Sequence, residues 1–218
     1  MCNEIYFPHN CDFRGRVYPI PPHLNHMGHD IARGMLLFTE GRKLGEDGLR
    51  WLKIHLANKF GQDKLSLDGR VAFADSIIDT VHKCAEDPKN NLEWLQAENP
   101  WQTLACMIEL NAALKMENPS DYICNLHVHV DGSCNGMQHY AAFGRDENGG
   151  VQVNLAKSEK PGDVYTAILK LVVAEVEKEK DPELVEIAES LKGKVTRKVI
   201  KQTVMTSVYG VTFVGARA

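Results

Sequence analysis

Asp131, followed directly by Gly132, closes the run Leu126-His127-Val128-His129-Val130. A carboxylate at a strand end can bind a hard cation such as Mg2+, and a glycine lets its own carbonyl approach as a second oxygen ligand. Alone, an Asp-Gly pair also makes an ordinary turn. Further on, Arg197 and Lys201 lie four residues apart, hence on one side of a helix. Two cations so placed can grip a polyphosphate, or can simply be solvated. Tyr209, roughly two turns beyond Lys201, offers a ring to stack on a base and a hydroxyl to probe a sugar. Gly210 is placed to stop the helix. Near the start, Asp12-Phe13-Arg14-Gly15-Arg16-Val17-Tyr18-Pro19 packs arginines, aromatics and a glycine together, a mixture suited to phosphate contact and stacking on nucleic acid.

A different chemistry competes for Asp131. On a strand, His127, His129 and Asp131 share a face, as in the His-x-His-x-Asp sites of metallohydrolases. Such sites often carry another His after the Asp, where this chain has Gly132, and need further histidines downstream, where only His139 follows. His23, His26 and His29 recur every three residues, but Pro21, Pro22 and Gly28 disturb any shared helical face, which leaves them as loop histidines.

Around these residues the sequence predicts a mainly helical α+β chain. Residues 1–30 hold four prolines, two glycines and three asparagines, so that stretch is turn-rich and extended. Leu49, Leu52, Leu56 and Phe60 recur at helical spacing, as do Val71, Ala74, Ile77, Ile78 and Val81. Asn99 can cap a third helix with Pro100 at its first position, and Trp101, Leu104, Ala105, Ile108 and Ala112 form its buried stripe. Trp51, Trp94 and Trp101 are expected in core or interface. Alternation predicts a strand over 126–130 and a second, shorter one at Val151, Val153 and Leu155. A short helix follows Gly136. Two helices have stripes at Val164, Ile168, Leu171, Val172 and Val176, and at Leu184, Ile187, Ala188 and Leu191. A last helix runs from about Lys194 to Tyr209.

Composition bounds the alternatives. The 218 residues suffice for one domain or parts of two, and a formal net charge of −4 gives no overall basic surface for nucleic acid. The charges are segregated, however. Seven acidic residues between Glu175 and Glu189 are followed by Lys192, Lys194, Arg197, Lys198 and Lys201, which is compatible with a charged cleft. None of the six cysteines forms a Cys-x-x-Cys pair, which argues against a zinc ribbon and for reduced thiols. No stretch approaches the roughly 20 apolar residues of a membrane span, and no secretory or transit signal opens the chain.

Taken together, Asp12 to Pro19 (DFRGRVYP), Asp131 to Tyr140 (DGSCNGMQHY) and Arg197 to Gly210 (RKVIKQTVMTSVYG) resemble three signature stretches of the single-subunit, phage-type RNA polymerases, in that family's order. The resemblance runs from about Phe7 to Gly215 and is strongest to the mitochondrial branch, through Phe7-Pro8-His9-Asn10, Pro100-Trp101-Gln102-Thr103-Leu104-Ala105 and Gly144-Arg145-Asp146.

The resemblance implies a partial right-hand polymerase fold. Residues 1–40 would be the first part of the palm, 41–121 a helical palm insertion, 122–150 palm again, and 151–218 the N-terminal part of the fingers. Asp131 matches the first catalytic aspartate and, with the Gly132 carbonyl, a metal site for two Mg2+ ions. Arg197 and Lys201 match the cations that hold the incoming triphosphate, Lys201 also in a catalytic role. Tyr209 and Gly210 match the residues beside the ribose and templating base. Arg16 matches an arginine near the active site and hybrid. The implied partners are DNA template, RNA product, nucleoside triphosphates and transcription factors that no motif here specifies. The implied location is the mitochondrion, with the transit peptide upstream of Met1. The family's second catalytic aspartate is expected outside these 218 residues, so the chain alone is expected to be inactive. A non-catalytic nucleic-acid-binding module is the alternative from another class.

Overall fold

The structure, a computed structural model, describes residues 4–129, 132–208 and 210–217. The chain divides into two units, Met1–His129 and Val130–Ala218.

The N-terminal unit opens with an antiparallel hairpin of β1 (His9–Cys11) and β2 (Val17–Pro19), with Asn10 opposite Tyr18. The sequence reading gave only an extended, turn-rich segment here. The hairpin comes from Asp12, whose Oδ1 accepts from the N–H groups of Arg14 and Arg16, each at 2.9 Å. The side chain thus supplies the turn's missing hydrogen bonds. Then come α1 (Asp30–Gly34), β3 (Arg42–Lys43), α2 (Gly45–Phe60), α3 (Leu67–Ser76), α4 (Ile78–Glu86), α5 (Pro100–Leu114) and β4 (Ile123–Cys124), which pairs antiparallel with β3. The predicted apolar stripe from Val71 to Val81 is real but spans two helices. The chain breaks at Ile77, with φ −107° and ψ 15°.

The stripe residues Leu52, Leu56, Ala74 and Val81 meet Leu104, Met107 and Leu110 of α5 in one core. The start of α5 lies where Asn99-Pro100 predicted, but the Asn99 side chain makes no cap. Asp30 of α1 does instead, accepting from the N–H groups of Trp101 (2.7 Å) and Gln102 (3.2 Å). A carboxylate brought from 70 residues away satisfies two orphan donors and favours the helix dipole. Of the tryptophans, Trp94 is buried, whereas Trp51 and Trp101 are 53% and 43% exposed. The predicted strand over 126–130 is not formed at residues 126–129, and Val130 lies outside the described residues. The strand in this region is β4, because a ladder needs a partner. Among the described residues β3 faces Ile123–Cys124 and nothing pairs with 126–129.

The C-terminal unit contains α6 (Asn135–Gly144), α7 (Glu147–Gln152), α8 (Val164–Lys178), α9 (Pro182–Leu191), α10 (Arg197–Val208) and α11 (Phe213–Arg217). The strand predicted at Val151, Val153 and Leu155 is contradicted, because Val151 belongs to α7. Asp146 caps that helix by accepting from the Gly149 N–H at 3.0 Å. Val153 then reaches the small core of Ala141 and Val164 from a turn. The apolar alternation there reflects a helix end and a turn, since period alone cannot separate short elements. The remaining helices fall where their stripes predicted. The chain as a whole is mainly helical with a few short strands, as the composition of patterns implied.

Candidate active site

In the C-terminal unit, α10 carries Arg197 and Lys201 over a single aromatic ring. Arg197 Cζ lies 5.3 Å and Lys201 Nζ 6.0 Å from the centroid of Tyr165, on the first turn of α8. The predicted shared side of the helix is therefore realised, and both cations rest on a ring face that attracts positive charge. Lys198, next to Arg197 in sequence, does not join them at the ring. Ile200, one turn from Arg197 and flanking the same side of α10, is buried.

Asp163 meets Arg197 edge-on. Asp163 Oδ2 accepts from Arg197 Nε at 2.7 Å, and Oδ1 accepts from Nη2 at 3.2 Å. Burial works to raise the Asp163 pKa, but the hydrogen bonds from Arg197 and Thr166 outweigh it and hold the carboxyl at about 2. The same pairing moves Arg197 upward from its ordinary value. Burial, followed by a hydrogen bond with Cys134, pushes Tyr165 up to about 12. The ring is therefore a neutral phenol at any physiological pH.

The turn after Asp131 is close to the other end of α10. A Cβ at Gly136 would collide with Cγ1 of Val208, so only glycine lets α6 approach the last turn of α10. Gly132 is similarly tight, its α-carbon facing the Asn135 side chain. Asn154, in the left-handed region at φ 59°, ties this turn to Gly162, two residues before α8. Its Nδ2 donates to Ser133 Oγ at 3.0 Å, and its Oδ1 accepts from the Gly162 N–H at 2.7 Å. Asn is among the few residues that adopt this backbone readily. Gly210 has φ 73°, the conformation that ends α10.

Two predicted residues, Asp131 and Tyr209, lie outside the described residues. Arg16 belongs to the N-terminal unit, on the exposed hairpin, where its N–H and carbonyl both bond Asp12. His127 and His129 pack edge to face at 4.7 Å, with Phe38 against His127. Burial lowers both histidines, His129 to about 4, so they are neutral packing groups at pH 7. Three residues escaped the motif reading: Asp163, Tyr165 and Asn154. Asp163 did leave a signal, as an N-cap residue directly before a helical stripe. Asn154 left none.

Comparisons with known proteins identify the family. A family described as DNA-dependent RNA polymerase matches residues 42–218. The chain is 57% identical to the mitochondrial DNA-directed RNA polymerase of Neurospora crassa over 98% of its own length, which is 15% of that protein. It is 53% identical to the chloroplastic/mitochondrial DNA-directed RNA polymerase 2 of Arabidopsis thaliana, and 52% to polymerase 2B of Nicotiana tabacum. Each match covers 98% of this chain and 22% of the relative. The chain thus spans less than a quarter of the length of these curated relatives. With a family match over residues 42–218, the chain belongs to the DNA-dependent RNA polymerase family.

Proposed function

We propose that this chain is part of the catalytic region of a mitochondrial single-subunit RNA polymerase that performs template-directed nucleotidyl transfer. The observation that carries the reading is the pairing of Arg197 and Lys201 over Tyr165, on a helix whose last turn abuts the Gly132–Gly136 turn. A triphosphate held by the two cations would lie along the helix that leads to the Gly132–Gly136 turn. Residues 1–40 and 122–150 would belong to the palm, 41–121 to its insertion and 151–218 to the fingers.

The donors suit Mg2+. A carboxylate from Asp131 and a main-chain carbonyl from Gly132 are hard oxygen ligands, and Mg2+ is usually held by one or two carboxylates plus substrate phosphates rather than by a protein cage. When bound, two Mg2+ ions supply charge stabilisation to the attacking and leaving oxygens. A second carboxylate would come from a segment beyond these residues.

In the reaction, the 3′ oxygen of the RNA loses its proton and attacks the α-phosphate. The bond to the β-phosphate's bridging oxygen breaks, and pyrophosphate leaves. Arg197 and Lys201 hold the phosphates and offset the charge that builds on them. Tyr209 stacks beside the templating base and senses the ribose, Gly210 gives the backbone its turn, and Arg16 contacts the hybrid. DNA template, RNA, nucleoside triphosphates and transcription factors are the proposed partners. The test is Asp131→Asn in the complete polymerase. It should cut nucleotide addition by at least about a hundredfold while leaving template binding intact, because it removes a metal-binding charge and keeps the shape. Elongation within about tenfold of wild type would sink the assignment.

A further inference from the structure

Asp163 is unusually occupied for a surface carboxylate. Oδ1 accepts from the N–H groups of Tyr165 (3.2 Å) and Thr166 (3.3 Å) and from Arg197 Nη2 (3.2 Å). Oδ2 accepts from Thr166 Oγ1 (2.9 Å) and Arg197 Nε (2.7 Å). Three of these five bonds come from the first turn of α8, so the carboxylate is fixed by its own helix before it meets Arg197. We infer that Asp163 is a positioning residue for the incoming nucleotide: it holds the Nε–Nη2 edge of Arg197 and turns the Nη1 end outward, toward the triphosphate. The inference rests on the reading of α10 as the triphosphate grip.

Three considerations support it. A guanidinium has five N–H donors in a rigid plane. Asp163 takes one from Nε and one from Nη2, which leaves three directed away from it. Next, an arginine on an exposed helix face samples many rotamers, and fixing it costs binding energy. With Asp163 at its edge and Tyr165 under its plane, that ordering is complete before the nucleotide arrives. Finally, the negative charge opposes triphosphate binding only weakly. It is already shared with the N-terminus of α8 and with Arg197, and Lys201 remains as the net cation.

The experiment is single-nucleotide incorporation by the complete polymerase on an RNA–DNA hybrid, with Asp163→Asn, Arg197→Ala and the double variant. Asparagine can still cap α8 but lacks the charge and the second acceptor that Arg197 needs. Asp163→Ser, also a good cap residue, guards against misfolding peculiar to one variant. Both Asp163 variants should raise the nucleotide KM on the order of tenfold, with kcat changed by less than about threefold. Arg197→Ala should raise KM at least as much, and adding Asp163→Asn to it should change nothing further. If Arg197→Ala alone leaves KM unaltered, the triphosphate grip itself is wrong and the inference falls with it. If Arg197→Ala raises KM, but Asp163→Asn costs the same factor with and without Arg197, Asp163 is merely structural. An unchanged or lower KM in Asp163→Asn would likewise overturn positioning while leaving the grip intact.

Discussion

In the N-terminal unit, Leu56, Met107 and Leu110 are fully enclosed, and helices α2 to α5 close around them. In the C-terminal unit the clustered core shrinks to Ala141, Val153 and Val164, with Ala188 and Ile200 buried apart from it, while Phe143 and Leu171 are 87% and 67% exposed. What replaces packing there is a polar chain from Ser133 through Asn154 and Gly162, next to Asp163 and on to Arg197. One unit is a scaffold stabilised by burial. The other positions charged groups with directional bonds, which fix geometry but contribute little net stability each. Regions that bind and reorganise are drawn from the less stable end of a protein.

This contrast can be broken most sharply by cavity formation. All three tryptophans lie between Trp51 and Trp101, so their fluorescence reports the N-terminal unit alone. Leu110→Ala should lower the stability seen by tryptophan during urea unfolding by about 2–5 kcal/mol. Val164→Ala should leave that transition in place and alter only far-ultraviolet circular dichroism from the other unit. A tryptophan transition that moves equally in both variants would mean that the two units unfold as one.

The scaffold's dependence on burial also predicts its response to acid. His55 is 5% exposed, and burial, followed by Lys59, His127 and His129, lowers its pKa from 6.5 to about 4. The unfolded chain therefore binds the proton more readily than the folded one. The neutral histidine's contribution is complete above about pH 6.5 and is lost as pH falls through about 4, amounting to roughly 3 kcal/mol. Urea midpoints by tryptophan fluorescence should decline across that interval, and His55→Gln should flatten the decline. An unchanged slope in His55→Gln would assign the acid sensitivity to other groups.

Much of the scaffold was legible because its helices are long and their apolar stripes regular, so period and caps agree. Where legibility failed, tertiary partners decided. Asp30 caps α5 from a distant helix, Val153 joins a core from a turn, and residues 126–129 lack a ladder partner among those described. In the candidate site, the spacing of Arg197 and Lys201 gave their shared side, because helical geometry is local. The ring beneath them and the carboxylate at their edge lie more than 30 residues upstream, and no spacing rule connects them. Gly136 could be read as a turn residue, but its reason is Val208, which only the fold brings near.

The smallest expected effect sharpens the comparison within α10 itself. Lys201 lies over Tyr165 with Arg197, whereas Lys198 is rotated about 100° around the helix from Arg197. Both lysines are exposed, so neither truncation should disturb the small core beside them. If directional placement rather than general positive charge grips the triphosphate, Lys201→Ala should cost about 1.5–3 kcal/mol in kcat/KM for nucleotide addition. Lys198→Ala should cost under about 0.5 kcal/mol, as screened surface charge does. Raising the salt concentration should erase the Lys198 effect and leave most of the Lys201 effect, because a contact ion pair with phosphate is screened less than a distant charge. Equal losses for the two lysines in single-nucleotide incorporation, or equal salt sensitivity, would make α10 a diffuse basic surface and remove the distinction between its two sides.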